Sequence, residues 1–189
     1  MRVSREQVAE NRQKILDAAG RLFRTRGFAS VTVAEVMQAA GLTHGGFYGY
    51  FASKDALITA TLAHLMSGGT GAGIDLARYA ATYLSPGRRD DLAGGCPTAG
   101  LGAETIRQAP ETRAAMTAGL KRHLDRLTRG APGATEAARR QAAIGSWAAM
   151  VGAMILARVS EDPQFSDEML DATRAWIETQ GATPSPTET

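Results

Sequence analysis

Between Thr43 and Lys54 the chain gathers Thr43, His44, Tyr48, Tyr50, Ser53 and Lys54 within twelve residues, with no carboxylate among them. These groups suit donation better than bond-making. Hydroxyls, phenols, an imidazole, an ammonium group and the open amides of a helix start can bind phosphate oxygens or base edges. Gly45 and Gly46 would let that helix start approach a duplex closely, and Lys54 can neutralise a phosphate. Thr32, which starts the preceding helix, completes the candidate DNA-binding set of Thr32, Thr43, His44, Gly45, Tyr48, Tyr50 and Lys54.

Patterns for catalysis are missing. His44, His64 and His123 lie far apart, without the spacing of a zinc helix, and neither a Gly-x-Ser-x-Gly elbow nor a Walker loop occurs. Gly69-x-Gly71-x-Gly73 follows no strand, so it is no dinucleotide fingerprint. A Ser/His/Asp triad assembled in space stays open, but no local pattern hints at one. The expectation is a non-enzyme with no catalytic residues, metal or cofactor.

The elements that would position the set are helices. Ala, Leu, Arg, Gln, Glu and Met dominate, and alternating strand-type runs are nearly absent, so the fold class is all-α. A first helix is expected from about Glu6 to Arg26, with Val8, Ile15, Leu16, Ala19, Leu22 and Phe23 as its apolar stripe and Gly27 as its stop. Thr32-Val33-Ala34-Glu35 is a capping box for a short second helix. Gly41 ends that helix and starts a three-residue turn. Thr43 is read as the cap of a third helix, His44 to about Tyr50, and Ser53 as the cap of a fourth. Val36, Ala40, Leu42, Phe47 and Phe51 would pack inward, leaving the donors outside.

This arrangement, Thr32 to Leu57, together with Ile15-Leu16-Asp17-Ala18-Ala19, Leu22-Phe23 and Gly27-Phe28, resembles the DNA-binding signature of TetR/AcrR-type regulators. Gly49 departs from it, since a larger residue usually stands there; Tyr50 sits where His is also frequent. The resemblance implies an N-terminal three-helix helix-turn-helix domain, residues 1–66, and a C-terminal helical ligand-binding and dimerisation domain, residues 67–180. Residues 181–189, rich in Thr, Pro and Ser, are expected to be a disordered tail. It also implies a homodimer on a double-stranded operator, an inverted repeat by symmetry, and an unknown small-molecule effector that releases it.

Beyond the glycine cluster Gly68, Gly69, Gly71 and Gly73, five helices are expected, at about Ile74–Leu84, Pro97–Gln108, Pro110–Arg129, Thr135–Val159 and Ser166–Thr179, separated by breakers that include Pro86-Gly87 and Asp162-Pro163. Small residues Ala142, Gly145, Ala149, Gly152 and Ala153, with Leu156, Met169 and Trp176, suit a helix–helix dimer interface. Tyr79, Tyr83, Leu101, Met116, Leu120, His123, Trp147, Met150 and Met154 are candidate ligand-pocket walls, and equally ordinary core. Cys96, the only cysteine, precedes Pro97 at a helix start. Gly95-Cys96-Pro97 resembles an element of one TetR-like subgroup, some of whose members look like electrophile or oxidant sensors; a small residue filling a tight loop is the competing reading.

Charge agrees weakly. The net +2 divides into eight basic against four acidic residues over 1–54, a net of +4, and −2 over the remainder. A polar N-terminus, a single cysteine and no run of about 18 apolar residues suggest a cytoplasmic protein without a membrane partner. Two other readings stay open: an activator, and a helical interaction module that does not bind DNA.

Overall fold

The computed structural model describes residues 4–68 and 72–182, and all regular structure among them is helical. In chain order the helices are α1 (Arg5–Ser30), α2 (Val33–Ala39), a 3-10 segment (His44–Gly49), α3 (Lys54–Leu65), α4 (Leu76–Tyr83), α5 (Pro86–Asp90), α6 (Pro97–Thr105), α7 (Pro110–Gly130), α8 (Glu136–Val159) and α9 (Pro163–Ala182). Of the glycine cluster, Gly69 and Gly71 lie outside the described residues, as does the end of the expected tail, 183–189; Gly181 and Ala182 belong to α9.

Two compact units emerge from the packing. One runs to Gly68 and resumes over Leu92–Gly119; the other holds the described residues up to Asp91 and from Leu120 onward, so the boundary cuts α7. Proximity therefore groups α6 and half of α7 with the N-terminal helices, whereas the sequence reading draws its line once, at 66/67.

In the first unit α1 is the central element, packing on α2, α3 and α6. Ile15, Leu16, Ala19 and Phe23 form its buried stripe, and Leu57, Ile58 and Leu62 are the buried apolar residues of α3. Each such side chain removed from water stabilises the unit by about 1.5–3 kcal/mol. Val8, assigned to the stripe from sequence, is instead exposed, because it lies beyond the reach of the shorter α3. Gly27 breaks α1 at φ 78°, ψ 167°, a region that only glycine adopts readily, and one turn continues through Ser30.

In the second unit α8 and α9 pair along their lengths, α4 lies on both, and α5 touches α8. Trp147, Met150, Met154, Ala157, Leu170 and Ile177 are its core. Helix α8 is long and apolar enough to cross a membrane by length and composition alone. Its buried face, Ala143 through Ala157, instead contributes to this core. The helix α5 was not expected, since Pro86-Gly87 reads as a breaker. Pro86 actually opens it, and side chains remote in sequence hold it. Arg158 donates to the carbonyls of Arg88 and Arg89, while Arg89 donates to Ser166 Oγ at 2.8 Å and pairs with Asp167 at 2.6 Å. Likewise Pro163 begins α9, where only an amide with no helical acceptor is given up.

Candidate nucleic-acid interface

The N-terminal geometry starts from caps. Thr32 Oγ1 accepts from Glu35 N at 3.2 Å, and Glu35 Oε2 accepts from Thr32 N at 2.7 Å, closing the capping box of α2. Arg26 pairs with the other Glu35 oxygen at 2.8 Å. The Thr32 amide, the Thr32 hydroxyl and Arg26 together lower the Glu35 carboxyl from 4.5 to about 2. Gly41, at φ 71°, then reverses the chain between α2 and the next segment, which is the conformation the turn requires of it.

That next segment, His44–Gly49, is a 3-10 helix and not the expected α-helix. Thr43 stands at its N-cap position but makes no side-chain cap bond there, contrary to the sequence reading. Gly45, Gly46 and Gly49 supply no side chains to stabilise a longer helix, and glycine is a poor helix former. Phe47 anchors the segment. It is buried, stacks on Phe51 at 5.8 Å, and meets Tyr48 edge-on at 5.3 Å; the Arg12 guanidinium caps the Phe51 ring at 5.0 Å.

With Phe47 pinned inward, Thr43, His44 and Gly45 are exposed and Tyr48 is 74% exposed. Tyr50 is turned partly inward rather than fully outward. It is half-buried, and its hydroxyl accepts from Asn11 Nδ2 at 3.0 Å. Ser53 caps α3 by accepting from Ala56 N, and Lys54 is the first residue of α3, its Nζ donating to Ala29 O at 3.4 Å. No carboxylate pairs with the ammonium among the described residues.

A capped helix, a glycine turn and a short outward-facing segment pinned by one buried ring make a helix-turn-helix. Residues 15–61 match the model of bacterial regulatory proteins of the tetR family. Over those residues the N-terminal segment is similar to the tetR-family DNA-binding region. It is 39% identical over 62 residues to the HTH-type transcriptional regulator TtgR of Pseudomonas putida, covering 33% of this chain and 30% of that protein. It is 40% identical over 58 residues to the HTH-type transcriptional regulator AcrR of Shigella flexneri, covering 31% of this chain and 27% of the relative. The similarity thus spans under a third of those curated relatives. Fold similarity extends further. The reduced form of Escherichia coli NemR superposes with a TM-score of 0.72 at 24% identity, covering 93% of this chain and 99% of that one. A TetR regulator from Chloroflexus aurantiacus gives 0.70 at 23% identity over 93% and 98%.

Outside the matched residues 15–61, the residues singled out as pocket walls fall into both units. Leu101 and Met116 are buried, and Cys96 is half-exposed, in the first. Cys96 is the N-cap of α6, without a side-chain cap bond, and Pro97 takes the first turn. Leu120, Tyr79, Tyr83, His123, Trp147 and Met150 belong to the second unit. Four of these form one aromatic cluster: His123 lies 4.3 Å from Trp147 and 5.5 Å from Tyr79, and Tyr83 lies 5.3 Å from Trp147. His123 Nε2 is buried with no hydrogen-bond partner, and burial, helped by the Arg126 charge, lowers the imidazole from 6.5 to about 4. No set of three His, Cys, Asp or Glu side chains among the described residues is arranged to hold a metal.

The interface candidates divide by helix face. Ala153 is buried within its own unit and so cannot meet a partner, a correction to the sequence reading; Ala142, Ala149, Gly152 and Met169 are half-buried. Gly145, Leu156 and Trp176 are exposed. Sequence reasoning missed Ile144 and Val159, also exposed on α8. Their three-, four- and seven-residue steps relative to Ala148, Gly152 and Ile155 give a second apolar stripe opposite the core, a signal hidden because α8 is apolar nearly all round.

Proposed function

We propose that the chain is a TetR-type, non-enzymatic transcriptional regulator. It binds operator DNA as a homodimer, and a small molecule releases it, so it acts as a repressor. The reading is carried by one observation: Thr43, His44, Gly45 and Tyr48 are exposed together on a segment anchored by the buried Phe47. Thr32, Tyr50 and Lys54 flank them. An exposed donor surface of this size fits the edge of a major groove, with phosphate contacts from Lys54 and the hydroxyls.

One such segment reads few bases, so two copies on an inverted repeat are required for specificity. The outer stripe of α8, with Leu156 58% and Val159 74% exposed, and Trp176 of α9 supply the apolar surface for that pairing. The effector site is assigned to the aromatic cluster Tyr79, Tyr83, His123 and Trp147, where an unpaired imidazole nitrogen would meet a polar group of the ligand. Cys96, a half-exposed free thiol at a helix start, is the candidate for an electrophilic inducer. A cytoplasmic location accompanies the DNA-binding role.

The test is binding to a duplex enriched by the chain from a random-sequence pool. Tyr48→Ala and Lys54→Ala should each weaken binding about tenfold while leaving helicity and Tm unchanged. Unaltered affinity in the folded double variant would refute the assignment.

A further inference from the structure

The turn from Gly27 to Thr32 joins α1 to α2, and charged side chains hold nearly every step of it. Phe28 N has lost its helical acceptor, because Gly27 leaves the helix at φ 78°. Glu104 Oε2, from the last turn of α6, accepts from that amide at 2.7 Å. Ala29 O accepts from Lys54 Nζ, and Ser30 O accepts from Arg26 at 2.9 Å. Arg26 pairs with Glu35, whose other oxygen receives the Thr32 amide and the Thr32 hydroxyl at 2.8 Å. All these groups lie in the first unit. Arg26, Lys54 and Glu104 also line one open groove of about 470 Å³ beside the turn, with Arg107 and Gln108.

Two independent features tie Glu104 to this turn. The first is its short bond to Phe28 N. The second is steric: a Cβ placed on Gly27 would collide with the Glu104 carboxylate, so backbone and carboxylate are fitted to each other. Phe28 is in turn buried against Phe23, edge-on at 5.3 Å, which fixes the turn's depth in the core.

We infer that Glu104 is a positioning residue for DNA binding: by holding Phe28 N it sets the turn whose carbonyl orients Lys54 and whose far end presents Thr32. The inference rests on the DNA-binding reading above. Glu104 touches no DNA; it acts through the backbone of residues 28–32. It makes DNA affinity depend on the seating of α6, a helix that lies outside the matched residues 15–61.

The experiment uses the full chain and a duplex enriched by the wild-type protein from a random pool. Kd and Tm are measured for Glu104→Ala, Glu104→Asp and Glu104→Gln, each with and without Lys54→Ala. Losing a charge-assisted bond to a backbone amide should weaken DNA binding about tenfold in Glu104→Ala. Glu104→Asp, one methylene too short to reach Phe28 N, should lose as much and serves as the second truncation if the alanine variant melts early. Glu104→Gln should recover most of the affinity, because its amide oxygen still accepts. Lys54→Ala should cost fewer fold in the Glu104→Ala or Glu104→Asp background than in the wild type, since Lys54 is already misplaced there. A merely structural Glu104 would lower Tm and leave the two losses multiplicative. Wild-type affinity in both truncations, no recovery in Glu104→Gln, or multiplicative losses overturns the inference alone. A wild-type chain that enriches no duplex overturns the DNA-binding reading, and this inference with it.

Discussion

Replacing Gly27 by alanine should be among the most destabilising single-methyl changes in the chain. At φ 78°, ψ 167° a side chain is strained whatever the free space, which costs about 1–3 kcal/mol. Here there is no free space, because the new Cβ meets the Glu104 carboxylate. To clear it, Glu104 must release Phe28 N, a charge-assisted bond of 2.7 Å that contributes about 1.5–3 kcal/mol. Alanine returns about 0.4–1 kcal/mol by restricting the unfolded chain. The net expectation is a loss of about 1.5–5.5 kcal/mol, a fall in Tm of about 3–20 °C for a chain of this size. Urea unfolding followed by circular dichroism measures it. In a Glu104→Gly background the collision is gone and the bond already lost, so Gly27→Ala should cost only the backbone strain less the same unfolded-chain return, about 0–2.5 kcal/mol. A loss under about 1 kcal/mol in the wild-type background, or equal losses in both, would refute this reasoning.

Other perturbations have equally definite outcomes. The His123 imidazole is lowered to about 4 against 6.5 in an open chain, so the unfolded state binds the proton first and stability falls as pH drops from about 6.5 to about 4. After screening of a partly buried ring, the loss should be about 1–2 kcal/mol, seen as acid unfolding by Trp147 fluorescence and absent in His123→Phe. Thr32→Ala should destabilise by about 1 kcal/mol through loss of the cap. In the same variant a carboxyl titration by NMR should show Glu35 rising from about 2, because the Thr32 hydroxyl helps keep it there. Leu156→Glu, on the exposed stripe of α8, should convert dimer to monomer in sedimentation while leaving Tm of the monomeric fold nearly unchanged; an intact dimer would move the interface elsewhere.

Local rules carried the sequence reading furthest where a residue's role depends on its neighbours in the chain. The Thr32–Glu35 box, the Ser53 cap and the turn at Gly41 are all of this kind, and each forms as read, whereas Gly27, read as the stop of the first helix, is a kink beyond which α1 runs on to Ser30. Contributions from far along the chain were not legible. Helix α5 exists because Arg158 and Asp167 hold it, and nothing in Pro86–Asp90 announces that. Tyr50 turns partly inward because Asn11, thirty-nine residues away, receives it. The 3-10 geometry of His44–Gly49 arises from three glycines whose joint effect outweighs the cap expected at Thr43. For α8, composition is apolar on every face, so only packing could separate Ala153, which is core, from Leu156, which is surface. Glu104 escaped notice for the same reason: its partner is a backbone amide seventy-six residues distant.

The most direct measurement is the salt dependence of binding to the enriched duplex. Two heads that each neutralise several phosphates should give a straight line of log K against log salt with a slope of about −5 or steeper. The enriched sequence should be an inverted repeat whose half-sites lie about one or more helical turns apart. A slope near zero, or enrichment of no sequence at all, would contradict the account.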